Sequence, residues 1–398
     1  MRYPTERLGD HIQVLSGFAF KSKDFSDEGI PVIKIKNITP PSISLIDLSY
    51  VPEEIADKNE KFILQYDDVL IALTGSHINQ MASVVGRVAK VRYNEKTVLN
   101  QRVGKITVND ADDCDLDFVY YYLSQDQVKI ELASKAGGAA NQANISPTDI
   151  KNLLIPFPEI AVQRKISSML RTYDDLIENN QKQIKLLEEA AQRLYKEWFV
   201  DLRFPGYETA PITDGIPEGW TEGTIQDLVI YHDKRRKPLS GMQRAEMKGQ
   251  YRYYGAASIL DYVNDYLFDG TYLLLGEDGT VITEDGFPVL QYVTGRFWVN
   301  NHAHVLTGQP DYPTEYLYMM FKTTKVKDVV TGAAQPKISQ ARLSNKKMII
   351  PCKELVRAYC DQVNPIFKQI LNLEQQIILH KEARDRLLPK LMNGEIEV

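Results

Sequence analysis

The chain has 398 residues, 43% hydrophobic and 25% charged, which is the profile of a globular protein of two or three domains and excludes a disordered or fibrous one. Its net charge of −6 argues against a partner held by bulk charge alone, although local basic patches such as DKRRKP (233–238) and KIKN (34–37) count for more than the sum with a polyanion. There is no apolar run approaching the roughly 18 residues of a membrane span, and MRYPTERLGD lacks the apolar core of a signal peptide. Cys114, Cys352 and Cys360 have neither zinc-site spacing nor an even count, which fits a cytoplasmic protein.

In chain order, FAFKSKDF and KIKN set basic residues beside aromatic or apolar ones, and LIALTG and VGRVAKVRY read as strands around the polar loop GSHINQ. After VLNQRVGKI, the stretch DADDCDLD (110–117) carries five acids in eight residues. LDFVYYYLSQ is an amphipathic aromatic helix, and NQANIS leads to an apolar triplet closed by proline. Residues 1–158 thus form a first globular domain. Across 159–203 a heptad follows: Leu170, Tyr173, Ile177, Ile184, Leu187, Ala191, Leu194 and Trp198, with Asn180 as its polar exception. The stretch 204–219, rich in Pro and Gly, is a linker. A second domain, 220–353, holds the strands YLLLGE, PVLQYV and RFWVNN and the helix TEYLYMMFKT. A second heptad fills 354–398: Val363, Ile366, Ile370, Leu373, Ile377, Leu387 and Leu391, with His380 and Arg384 as exceptions.

The chain is written twice. GGAANQANISPTDIKNLLIPFP corresponds to GAAQPKISQARLSNKKMIIPCK, and YDDVLIALTGS to GTYLLLGEDGT; the two heptads share one frame at an offset of 193 residues. The predicted fold is α+β, with two repeated globular domains separated by a pair of long antiparallel coiled-coil helices, one domain at each end of a rod. The repeat bears on WVNNHAHVL, where His302 and His304 stand two apart and Glu277 and Asp278 could complete a metal site. Aligned by letters, Asn100 matches Asn301, and Gln101 and Val103 stand opposite the two histidines. A metal needs three or four ligands, and His11, His77, His232 and His380 are scattered. The expectation is a paired polar surface with no metal.

No phosphate loop, GxSxG, HExxH or post-strand GxGxxG is present. NPIF (364–367) is similar to the base-holding signature of adenine methyltransferases, but it lacks the second proline and opens a heptad helix, where proline has a structural role. What remains are polar loops at matched points of the two halves. Asn and Gln suit adenine, Lys and Arg suit guanine or phosphate, and Asp and Glu accept from cytosine. The candidate DNA contacts are Lys21, Lys34, Lys36, Asn37, Thr74, Ser76, His77, Asn79, Gln80, Asn100, Gln101, Arg102, Asn141 and Gln142 in the first half. In the second they are Arg235, Arg236, Lys237, Tyr253, Tyr254, Glu277, Asp278, Asn300, Asn301, His302, Gln335 and Lys337.

SGFAFKSKDFSDEGIPVIKIKNI and DDVLIALTG with VLNQRV, then RYYGAASILDYVNDYLFDGTYLLLGEDGT with RFWVNNHAHVL, resemble the two target recognition domains of the specificity subunit of type I restriction–modification enzymes. IPFPEIAVQRKI through YKEWF is similar to that family's central conserved region and LLPKLMNGEIEV to its distal one; Val162-Gln163 stands where Glu-Gln is usual. The resemblance spans essentially the whole chain. It implies a non-catalytic subunit reading a bipartite, asymmetric site in double-stranded DNA, with the helices setting the gap. Two methylation subunits would carry S-adenosylmethionine, motor-nuclease subunits would join for restriction, and this chain would hold no cofactor. The whole would be a bacterial or archaeal defence system against phage. A metal-dependent nuclease and a coiled-coil adaptor without base preference stand as alternative readings of the same loops.

Overall fold

The computed structural model describes residues 3–75, 85–137, 143–332 and 334–398. They form two compact units: the residues up to Glu178 joined by Ile377–Val398, and Asn179–Gln376.

The first unit is organised by strands β1 (Ile12–Ser16), β2 (Ile30–Ile33), β3 (Val69–Ala72), β4 (Val88–Lys90), β5 (Val98–Leu99) and β6 (Val103–Val108). β3 reads VLIA and is buried at every residue, as a strand flanked on both sides must be. It lies between β6 and β4, in the order β1–β6–β3–β4, with each pair antiparallel. β5 leaves this ladder and runs parallel to β2 in a smaller sheet. Helix α1 (Leu116–Ser124) starts where the Asp115 carboxylate accepts from the Phe118 amide at 2.8 Å. It buries Phe118, Val119 and its three tyrosines in the core. Helix α2 (Ile160–Tyr195) runs from this unit into the second.

The second unit repeats the plan with β7 (Val229–Tyr231), β8 (Lys248–Tyr254), β9 (Tyr272–Gly276), β10 (Leu290–Val293), β11 (Arg296–Val299) and β12 (Ala303–Gly308). The ladder β7–β12–β9–β10 is again antiparallel throughout, and β11 again leaves it to run parallel to β8. Helix α3 (Thr314–Thr323) supplies the aromatic face, and α4 (Lys353–Met392) returns the chain to the first unit.

Each unit is therefore closed by half of α2 and half of α4, paired antiparallel. In the first, the Tyr173 ring lies 6.2 Å from His380, and Arg384 Nη1 donates to Asp174 Oδ1 at 2.6 Å. In the second, Asn180 Nδ2 donates to Gln376 Oε1 at 3.1 Å and the Tyr359 hydroxyl to the Ala191 carbonyl at 2.9 Å. The seam residues Leu170, Ile177, Ala191, Val363, Ile370 and Leu373 are buried, as a 3.5-residue apolar period requires. Two polar exceptions of the heptads, Asn180 and Arg384, are thus bonded by side chains of the other helix.

The ladder hydrogen bonds correct the register of the repeat by one residue. Leu73 N donates to Arg102 O at 2.9 Å and Glu277 N to His302 O at 2.8 Å. Val103 faces Ala72, and Ala303 faces Gly276. Asn100 is thus the counterpart of Asn300, not Asn301; Gln101 matches Asn301, Arg102 matches His302, and His304 stands opposite Gly104.

Candidate nucleic-acid interface

At the end of the central strand of each ladder, a tight turn is built on an asparagine. Asn100 Oδ1 accepts from the Arg102 amide at 3.4 Å, and Asn300 Oδ1 accepts from the His302 amide at 2.9 Å. Both asparagines are buried, at 9% and 5% exposure. They fix the turn and leave the next two side chains outward: Gln101 and Arg102 in one unit, Asn301 and His302 in the other, all exposed.

In the second unit three further segments converge on this turn. His302 Nδ1 meets Asp278, and Lys337 Nζ lies 3.2 Å from Glu277 Oε1. Arg236 Nη1 donates to Glu277 Oε2 at 2.6 Å and to the carbonyls of Ala303 and Asn301 at 2.7 and 3.3 Å. Beneath them, His304 Nδ1 lies 2.6 Å from Asp233 Oδ2, while Nε2 donates to the Ile338 carbonyl at 2.8 Å. Asp233 Oδ1 accepts from the Val305 amide at 2.9 Å. Burial pushes the Asp233 carboxyl up, but His304, the Val305 amide and Arg236 more than offset it and hold it below its ordinary value. Glu277 behaves alike: burial raises it, while Arg236, His304 and Lys337 bring it below the usual range. Ligand atoms of Asp233, Glu277 and His304 lie within 4.8 Å of one another, and the Arg236 guanidinium already neutralises the two carboxylates from 2.6 and 3.5 Å. Of this cluster, Asn301, His302, Lys337 and nearby Gln335 are the exposed ends.

Several sequence candidates have other work. Arg236 points inward and organises the cluster, with only 14% of its side chain exposed. Tyr253 and Tyr254 are core residues. The hydroxyl of the first accepts from the Leu239 amide at 2.9 Å, and the second packs edge-on to Phe297 at 5.7 Å. Asn37 is 1% exposed. Its Oδ1 accepts from the Lys34 amide and its Nδ2 donates to the Ser44 and Ile46 carbonyls, so it shapes the 34–47 loop and offers DNA no edge in this conformation. Thr74 is buried in a two-residue pairing with Asn144. Glu277 and Asp278 serve as partly buried anchors.

Other candidates do face outward. Lys21 and Lys36 are exposed, the latter 2.5 Å from Asp47. Lys34 is half-buried, 4.2 Å over the Phe25 ring, and burial together with Lys36 lowers its affinity for a proton. Arg235 is exposed but bonds the Leu267 carbonyl at 2.6 Å and lies 4.4 Å over Phe268. Lys237 is exposed, its carbonyl taking the Trp298 indole proton at 2.6 Å. Ser76, His77, Asn79, Gln80, Asn141 and Gln142 lie outside the described residues. The organising residue that sequence reasoning passes over is Asp233; its signal is its place three before Arg236 in a run read only for its positive charge.

Comparison with known proteins brings the two halves together. The family described as the type I restriction modification DNA specificity domain matches residues 3–189 and again 217–386, one match to each copy of the ladder. The type I restriction enzyme MjaIX specificity subunit of Methanocaldococcus jannaschii is 27% identical over 302 residues, 70% of this chain and 68% of that one. The putative MjaX specificity subunit of the same organism is 22% identical over 100% of this chain and 94% of its own. Among solved structures, the type I restriction–modification S subunit of M. genitalium aligns with a TM-score of 0.57 at 16% identity, over 98% of this chain and 96% of that one, a likeness of fold.

Proposed function

Because the chain belongs to the type I restriction–modification DNA specificity family, which matches it twice, we propose that each unit reads one half of a bipartite, asymmetric DNA site. The observation that carries this is the duplicated asparagine turn. The same backbone, locked by Asn100 or Asn300, presents Gln101 and Arg102 in one copy and Asn301 and His302 in the other. One scaffold with two different sets of outward groups is what an unequal pair of half-sites calls for. Gln or Asn can bond adenine on two points and Arg can do so to guanine, while Lys21, Lys36, Lys237 and Lys337 supply positive charge for phosphate.

In this reading the chain contributes recognition alone. Two methylation subunits carrying S-adenosylmethionine act on adenines beside the bound units, motor-nuclease subunits complete the restriction complex, and the assembly works in the cytoplasm of a bacterium or archaeon. No helix among the described residues is long and apolar enough to cross a membrane. The paired helices set the distance between the half-sites. Adding one heptad to each, after Ile184 and after Ile377, keeps the seam and lengthens the pair by about 10 Å, or about three base pairs of duplex at 3.4 Å each. Mapping methylated sites in cells that carry the lengthened chain with its methylation partner should show the same two half-sites with a gap about three pairs wider. An active variant that retains the parent gap refutes the spacer role, and parent methylation without any bipartite motif refutes the reading as a whole.

A further inference from the structure

The two asparagine turns differ in how the second outward side chain is held. Ile145 N donates to Leu73 O at 2.9 Å and Ile338 N to Glu277 O at 2.8 Å. Thr74 is therefore the counterpart of Asp278, and Asn144, which pairs with Thr74, the counterpart of Lys337, which bridges to Asp278. Where the first unit has Thr74 and Arg102, the second has Asp278 and His302. The two exchanges belong together. A guanidinium carries only donors and needs no neighbour to define them. A neutral imidazole has one donor and one acceptor nitrogen, and a neighbour decides which is which.

Asp278 is that neighbour. Its backbone is tied on both sides, by Glu277 N donating to His302 O at 2.8 Å and by Gly279 N donating to Pro336 O at 3.0 Å. Its carboxylate meets Nδ1 of His302, and 20% of its side chain is exposed. Glu277, the adjacent acid, is taken by Arg236 and Lys337 at 2.6 and 3.2 Å. An ionised carboxylate only accepts, so Nδ1 carries a hydrogen. Nε2 has no hydrogen-bond partner among the described residues, and the His302 side chain is 48% exposed. In the neutral ring that free nitrogen is an acceptor.

We propose that Asp278 is a positioning residue that fixes the tautomer of His302, so that Nε2 accepts from a base amino group of the second half-site. In the major groove that group is N6 of adenine or N4 of cytosine. The inference rests on the half-site reading and goes beyond it by naming the reading atom and the edge it meets. Two measurements test it. In nitrogen-15 NMR of the histidine-labelled full chain at about pH 8.5, well above the ordinary histidine value of about 6.5, the signals lost in His302→Gln should report hydrogen on Nδ1. Asp278→Ala should mix the two tautomers, and a parent ring with its hydrogen mainly on Nε2 overturns the assignment. In binding-site selection with the methylation partner, His302→Ala and Asp278→Ala should relax the same single position of the second half-site. Each loss should be about 5- to 150-fold, the double variant should lose no more, and the first half-site should not change. At that position, replacing the base amino group by hydrogen should cost the parent a similar factor and leave the His302→Ala chain little affected. Relaxation at different positions, a uniform loss over all sequences, or an equal cost of the base change to both chains overturns the inference. A parent motif that is not bipartite overturns the half-site reading and the base contact with it, while the tautomer result stands on its own.

Discussion

Replacing Arg236 with Ala separates its structural role from a role at the DNA. The guanidinium and the Glu277 carboxylate are 14% and 15% exposed and 2.6 Å apart. The same guanidinium serves the carbonyls of Asn301, Ala303 and Asp233 and lies 3.5 Å from the Asp233 carboxylate. Its removal leaves two carboxylates of low exposure without their nearest guanidinium, a change that costs about 3–5 kcal/mol when a buried pair is broken. For a unit of about 200 residues each kcal/mol lowers the melting temperature by about 2–4 °C, so a fall of about 6–20 °C is expected. Calorimetry, with hydrogen exchange to assign the lost protection to β9 and β12, reads this directly. Adding Glu277→Gln should restore part of the loss, because it removes one stranded charge. An Arg236→Ala chain that melts like the parent, yet binds DNA with a salt slope reduced by about one, would refute this reasoning and make Arg236 a phosphate contact.

The same two carboxyls give a pH signature. Both are held below their ordinary values in the fold, so their stabilisation is present above about pH 4–5 and is lost as pH falls through the lowered values; Asp233→Asn or Glu277→Gln should flatten melting curves recorded from pH 6 to 3. Asn37→Ala should destabilise the first unit by about 1–3 kcal/mol in urea unfolding, since the Lys34 amide and two loop carbonyls lose their partner. Single Ala substitutions of Gln101, Arg102, Asn301, His302 and Lys337 should split in binding-site selection into two classes. Base contacts relax one position of the site at about 1–3 kcal/mol, and phosphate contacts weaken all sequences alike and lower the salt slope by about one.

The heptads are legible in the sequence because a 3.5-residue apolar period has one structural meaning, and Leu170, Ile177, Ala191, Val363, Ile370 and Leu373 are buried as that period requires. The duplication is legible for the same reason. Its register at the asparagine turn is not, because NQRVG and NNHAHV can be matched two ways by letters and only the ladder hydrogen bonds choose between them. Tyr253 and Tyr254 mislead for a physical reason too. Successive strand residues point to opposite faces, and β8 has apolar cover on both: Tyr253 packs with Leu239, Val263 and Trp298, and Tyr254 with Phe268 and Phe297. Arg236 misleads because a basic run declares its charge, while the direction of each side chain depends on an acid 41 positions away, Glu277.

The division of the chain has a consequence for the order in which it can be made. Leu391 and Met392, with Leu387, Leu388, Ile396 and Val398 beside them, belong to the core that also holds Tyr3, Phe118 and Leu170. The residues up to Glu178 leave the ribosome first but lack their partners until Ile377–Val398 is made, whereas Asn179–Gln376 has its whole sequence earlier. At about 5–20 residues per second, the first unit waits about 10–45 s after Glu178 for its closing helix. During synthesis the unit whose residues appear first is the one that finishes second, and removing residues 387–398 loosens a core built mostly from residues more than two hundred positions earlier.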